Sequence, residues 1–124
     1  MSMSIAVDLS ALEERLAEYG GRAYLVTVTD DQRPHVVSVE VALERDRLVT
    51  SAGRRTAANL AQRPAAMFLW PPVGIDGEYS LIVDGTADGR TGEGPLAVVP
   101  TAAVLHRVAG AAGDGATCLP VAPT

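Results

Sequence analysis

The chain has 124 residues, enough for one domain and too few for two. Apolar residues make up 48% of it, but only five are aromatic (Tyr19, Tyr24, Phe68, Trp70 and Tyr79), so Val, Leu and Ala must build the core. Such side chains bury little area each, which favours burial against a second copy of the chain. A net charge of −5, with ten arginines and no lysine, argues against general nucleic-acid binding and against an anionic membrane surface.

The single cysteine, Cys118, rules out an intramolecular disulfide and a cysteine zinc site. Residues 1–7 lack the basic start and apolar run of a signal peptide, and no stretch reaches the length of a membrane span. The expectation is a protein of the cytoplasm.

In chain order, the first element is a helix. Asp8 or Ser10 can cap it, Ser10 and Glu13 have capping-box spacing, and Leu9, Leu12, Leu16 and Tyr19 share one face. Gly20-Gly21 stops it. The period then changes to two. Residues 23–29, 35–43 and 47–51 read as strands joined by the polar turns 30–34 and 44–46, an antiparallel meander. After Gly53, residues 55–62 form a short helix ended by Arg63-Pro64. Residues 65–70 are a fourth strand, 71–77 a loop, 79–87 a fifth strand and 88–95 a glycine-rich turn. A sixth strand at 96–99 is interrupted by Pro100 and continues at 102–108 after a bulge or kink. The spacing predicts one domain over 1–109 and a poorly ordered Gly/Ala/Pro-rich tail over 110–124. Closing six sequential antiparallel strands into a barrel removes their exposed edges.

The most informative segment is 51–60, SAGRRTAANL, where a strand ends, a glycine turns and a helix starts. A helix start offers unpaired N–H groups and partial positive charge, and Arg54 and Arg55 add paired donors suited to phosphate or carboxylate. Two readings stay open: an anion pocket, or a helix capped by Thr56 beside two solvated arginines. The segment is not a P-loop, which needs Gly-Lys-Ser/Thr, and the chain has neither a Gly-x-Ser-x-Gly elbow nor a Rossmann fingerprint.

The order of RRTAANLAQRP (54–64), AAMFLW (65–70), RPHVVSV (33–39), YSLIVDGTA (79–87) and AVLHR (103–107) resembles the pyridoxamine 5′-phosphate oxidase-like split barrels, which bind flavins and deazaflavins. The resemblance covers roughly residues 8–108. It implies a mainly β fold: a six-stranded antiparallel split β-barrel with an N-terminal helix and one short inserted helix. It implies a cofactor in a groove between two barrels of a homodimer. The phosphate would meet Ser51, Arg54, Arg55, Thr56 and Asn59. The ring would lie along the backbone of Val37, Ser38 and Val39, with Ser80 a weaker contact. Many relatives carry lysine where this chain has Thr56, a lost charge that Arg54 or Arg55 can replace. Nothing after Arg107 matches the arginine-bearing C-terminus with which true pyridoxamine phosphate oxidases hold substrate.

The resemblance implies an oxidoreductase acting on a small molecule with FMN or the deazaflavin coenzyme, in which no side chain need act as acid or base. The alternatives are a flavin or haem carrier and a cofactor-free dimeric barrel. His35 reads as a packing or surface residue, His106 as a sheet-packing residue, Trp70 as a core or dimer anchor, and Glu40 as solvated or ion-paired between copies.

Overall fold

In the computed structural model, residues 4–74, 77–89 and 94–107 are described. Strand β1 (Ser4–Val7) leads through a 3₁₀ turn (Leu9–Ala11) into helix α1 (Leu12–Tyr19). Strands β2 (Arg22–Val28), β3 (Pro34–Glu44) and β4 (Arg47–Ala52) follow, then helix α2 (Arg54–Gln62), and strands β5 (Ala65–Trp70), β6 (Tyr79–Ala87) and β7 (Gly94–Arg107). The sheet order is β1-β7-β4-β3-β2-β5-β6, and β6 also pairs with β7. That last ladder closes six strands into an antiparallel barrel, with β1 added outside it along β7.

The period of two sorts the side chains between the two faces. Ala23, Leu25 and Thr27 of β2 point inward, as do Leu48, Thr50 and Ala52 of β4 and Leu81, Val83 and Ala87 of β6. Phe68 and Trp70 lie fully buried at the centre with ring centroids 6.0 Å apart. Trp70 therefore anchors the core, and its indole Nε1 donates to the Gly20 carbonyl at 2.9 Å. Helix α1 closes one end through Leu12, Leu16 and Tyr19, with the Tyr19 hydroxyl donating to the Tyr79 carbonyl at 2.8 Å. No helix among the described residues is long and apolar enough to cross a membrane.

Two details differ from the sequence reading, and one choice it left open, Asp8 or Ser10 as the cap, is decided. Strand β1 was not expected there. At the helix start Asp8 is the cap, its carboxylate accepting from the Ser10 backbone N–H at 2.9 Å and the Ser10 hydroxyl at 2.8 Å, and these two donors hold the Asp8 carboxyl below the usual carboxylate range. Finally, β7 is one continuous strand. Its pairing with β6 steps from Asp84↔Ala102 to Gly85↔Pro100, which makes Thr101 the extra residue of a bulge. Pro100 lies between the stretch paired with β4, which ends at Val98, and the stretch paired with β1, which starts at Ala103. A residue without an N–H is tolerated at such a place. The expected poorly ordered tail, with Cys118, falls outside the described residues.

Candidate functional site

The site begins with the unequal partners of β3. Along its whole first part, from Pro34 to Glu40, β3 pairs with β2. Its other edge pairs with β4 only over Val41–Glu44, and beyond Thr50 the β4 strand keeps only β7, its partner on the other edge from Leu48 onward, pairing Ser51 with Pro95 and Ala52 with Gly94. The barrel wall forks here. The Thr50 hydroxyl donates to the Glu40 carbonyl at 2.6 Å across the fork, while the Val41 N–H donates to the Gly21 carbonyl at 2.7 Å on the β2 side. N–H and C=O groups alternate edges along an antiparallel strand. Since Glu40 faces the β4 side, so do the backbone groups of Ser38 and Val36, and no described strand pairs with them there.

Helix α2 starts on the opposite wall. Its N-cap is Gly53, which has no side chain to cap with, and the first amide bonded within the helix is that of Ala57, to the Gly53 carbonyl at 3.0 Å. The first-turn amides of Arg54, Arg55 and Thr56 thus concentrate the partial positive charge of a helix start, and two guanidinium groups stand beside them. Thr56 is not the cap. It is buried within the first turn.

Between the walls lies a cleft of about 340 Å³, at the small end of ligand-site volumes. Val37, Ser38, Val39, Ser51, Arg54, Arg55 and Thr56, all expected from the sequence, line it, together with His35, Ala52 and Gly53. Its lining holds two arginines and no carboxylate, which suits an anion.

Asn59 and Ser80 are not among the lining residues. Asn59 is buried at 5% exposure, and its amide donates to the Thr27 hydroxyl at 3.0 Å, tying α2 to β2. Ser80 lies on β6 opposite His106 of β7, and His106 in turn faces Ser4 of β1, their side chains 3.3 Å apart at Nδ1 and Oγ. Glu40 pairs with Arg22 of the same chain at 3.7 Å on the exposed outer face.

Of the three further lining residues, His35, read from the sequence as a packing or surface residue, is the one whose side chain can hydrogen-bond. It shares its strand face with Val37 and Val39, a placement visible in the alternation of 35–39, but one histidine beside a turn carries no signal of what it meets. In the fold it is half-buried, and its Nδ1 is shielded from solvent and has no hydrogen-bond partner among the described residues.

A closed six-stranded antiparallel barrel, forked where one strand leaves its neighbour and with a helix starting at the fork, is a split barrel. Solved structures share this fold at low sequence identity. A FAD-binding protein of Mesorhizobium loti matches with a TM-score of 0.64 and 11% identity, over 87% of this chain and 99% of that one. An F420 reductase matches at 0.60 and 21%, over 73% and 94%. HutZ, the heme storage protein of Vibrio cholerae, matches at 0.60 and 14%, over 77% and 94%. Among curated sequences, the uncharacterized proteins Mb0449c of Mycobacterium bovis and MT0457 of Mycobacterium tuberculosis are each 42% identical over 117 residues, spanning 82% of this chain and 80% of theirs. No family model matches the chain. The chain belongs to one family with these mycobacterial proteins, and it shares its fold with the solved split barrels.

Proposed function

We propose that the cleft binds a phosphorylated flavin-type cofactor, FMN or the deazaflavin coenzyme, and that the protein is a homodimeric oxidoreductase of the cytoplasm acting on a small molecule. The observation that carries this reading is the fork. It sets an unpaired stretch of β3 backbone across from a helix start flanked by Arg54 and Arg55. A flavin has matching ends: a ring edge with both donors and acceptors, and a phosphate. The Ser38 and Val36 backbone groups offer donors and acceptors to the ring edge. The first-turn amides of α2, Arg54 and Arg55 suit the phosphate. The residues present therefore fit the group.

Such a cofactor supplies hydride transfer when bound. The protein's share is to fix the ring along β3, to hold the phosphate at α2 and to shape the space above the ring for a substrate. The cleft's small volume gives it one wall too few to enclose a flavin, and a second copy of the chain would supply the other. The outer face of the barrel suits that role. Tyr24 and Val36 are 43% and 55% exposed. In register they continue across the sheet into Leu69 and Ile82, and into Val26 and Met67. Tyr24 lies directly opposite Ser38, so this apolar face borders the cleft. Ser80 reaches a cofactor, in this reading, only if the second copy brings it to the cleft.

The visible absorbance of the purified protein, followed by titration with FMN, the deazaflavin coenzyme and haem, tests the reading. Saturable binding of a flavin-type compound supports it. Binding of haem alone would favour a carrier role like that of the heme storage protein HutZ, and binding of none would leave a dimeric barrel without a cofactor.

A further inference from the structure

Resting on the cofactor reading above, we infer that His35 is a positioning residue that hydrogen-bonds, through Nδ1, an oxygen of the cofactor's phosphorylated side chain. Buried polar atoms in folded proteins nearly always have partners, and one that lacks a partner among the described residues calls for a physical reason. His35 Nδ1 is such an atom, and the ring that carries it lines the cleft.

Its place in the register says which part of a ligand it meets. The β3–β4 ladder pairs Val41 with Thr50. Past the end of that ladder the cleft lining brings His35 together with Arg54, Arg55 and Thr56 of the first turn of α2, and on β3 His35 lies farther from the ladder than Val37 and Val39. His35 thus stands on the anion side of the cleft, next to the Val36 and Ser38 backbone offered to the ring. The wall behind it is fixed. Thr27, its partner on β2, is 1% exposed and accepts a hydrogen bond from Asn59 of α2 at 3.0 Å. Asn59 therefore acts at one remove, holding β2, the strand against which the imidazole's own strand is paired. A donor placed so favours a phosphorylated polyol chain over a bare ring, which makes His35 a residue of cofactor selection.

Three flavins separate the parts: FMN, riboflavin without the phosphate, and lumiflavin with neither phosphate nor polyol. Their affinities are read by fluorescence quenching in the wild type and in His35→Asn, His35→Gln and His35→Phe. Asn presents its amide near the place of Nδ1, whereas Gln presents it near Nε2. The expected result is that His35→Phe and His35→Gln weaken FMN about tenfold, the scale of one hydrogen bond to a charged group. His35→Asn keeps most of the affinity, and lumiflavin binds all four proteins alike, which also reports an intact cleft. Equal losses for lumiflavin and FMN would overturn the inference, since His35 would then act on the ring or the fold. So would unchanged FMN affinity in all variants, or rescue by Gln and not by Asn. A wild type that binds none of the three flavins would overturn the inference, and one that does not bind the deazaflavin coenzyme either would overturn the cofactor reading itself.

Discussion

At the scale of single residues, the turn between β3 and β4 carries the clearest cost. Glu44 pairs with Arg47, so Arg45 and Asp46 form a two-residue loop, and both sit in the left-handed region at φ 52° and 65°. Such a turn follows the twist of the flanking strands but wants Asn-Gly, because a Cβ is strained there. Replacing the pair by Asn-Gly is expected to stabilise the fold by about 1 kcal/mol. Urea unfolding measures it, and an unchanged midpoint would mean the strain is relieved elsewhere. Asp8 gives a prediction in pH. Its carboxyl is held low by Ser10, so its contribution to stability is full above the unfolded carboxylate range and is lost as pH falls through the lowered folded value. Asp8→Asn keeps a capping oxygen without the charge, and its melting temperature should fall less than that of the wild type between pH 5 and about pH 2. Equal falls would show that Asp8 does not contribute. The limits of reading single residues show at Asn59 and His35. Asn59 stands one helical turn from Arg55, a spacing that suggests the same ligand, yet its amide is spent on Thr27. Which way a side chain turns at the edge of a core is decided by strands distant in sequence.

At the scale of elements, strand length and alternation were enough to find β2 to β6, because their inner faces are regular. Strand β1 was not legible. It has four residues, and only Val7 of them is buried, so its sequence carries no pattern of its own. It exists because β7 runs past the end of β4 and leaves an edge to be covered. The unbroken course of β7 was obscured by Pro100 for a related reason. The proline falls beside a bulge and between two ladders, where the sheet does not need its N–H. Gly85, opposite the bulge, explains how the strands come so close. A Cβ there would stand 2.6 Å from the Val99 carbonyl oxygen and 2.6 Å from Val98 Cγ1. Gly85→Ala must therefore push the β6–β7 ladder apart, and a loss of about 1–3 kcal/mol is expected from such overpacking. A variant as stable as the wild type in urea would show that the closing ladder yields freely.

At the scale of the whole molecule, the closed barrel was legible because few arrangements satisfy sequential antiparallel strands without leaving edges. The fork was legible only as a glycine between a strand and a helix. β3 is left unpaired where β4 runs on beside β7 alone, a contact made more than forty residues later in the chain. The apolar outer face around Tyr24 and Val36 predicts a homodimer burying on the order of 1,600 Å² in total. Val36→Glu should convert it to a monomer with the barrel intact, as read by light scattering and circular dichroism. A wild type that scatters as a monomer at micromolar concentration would contradict this.

The central claim is that the start of α2 holds the phosphate of a flavin-type cofactor, and a double difference in affinity tests it most directly. FMN and riboflavin are titrated against the wild type and against Arg55→Ala. Removing the guanidinium should weaken FMN by about 1.5–3 kcal/mol, the range for a hydrogen bond to a charged group, and leave riboflavin nearly unchanged. Equal losses for the two flavins, or no loss for either, would contradict the account.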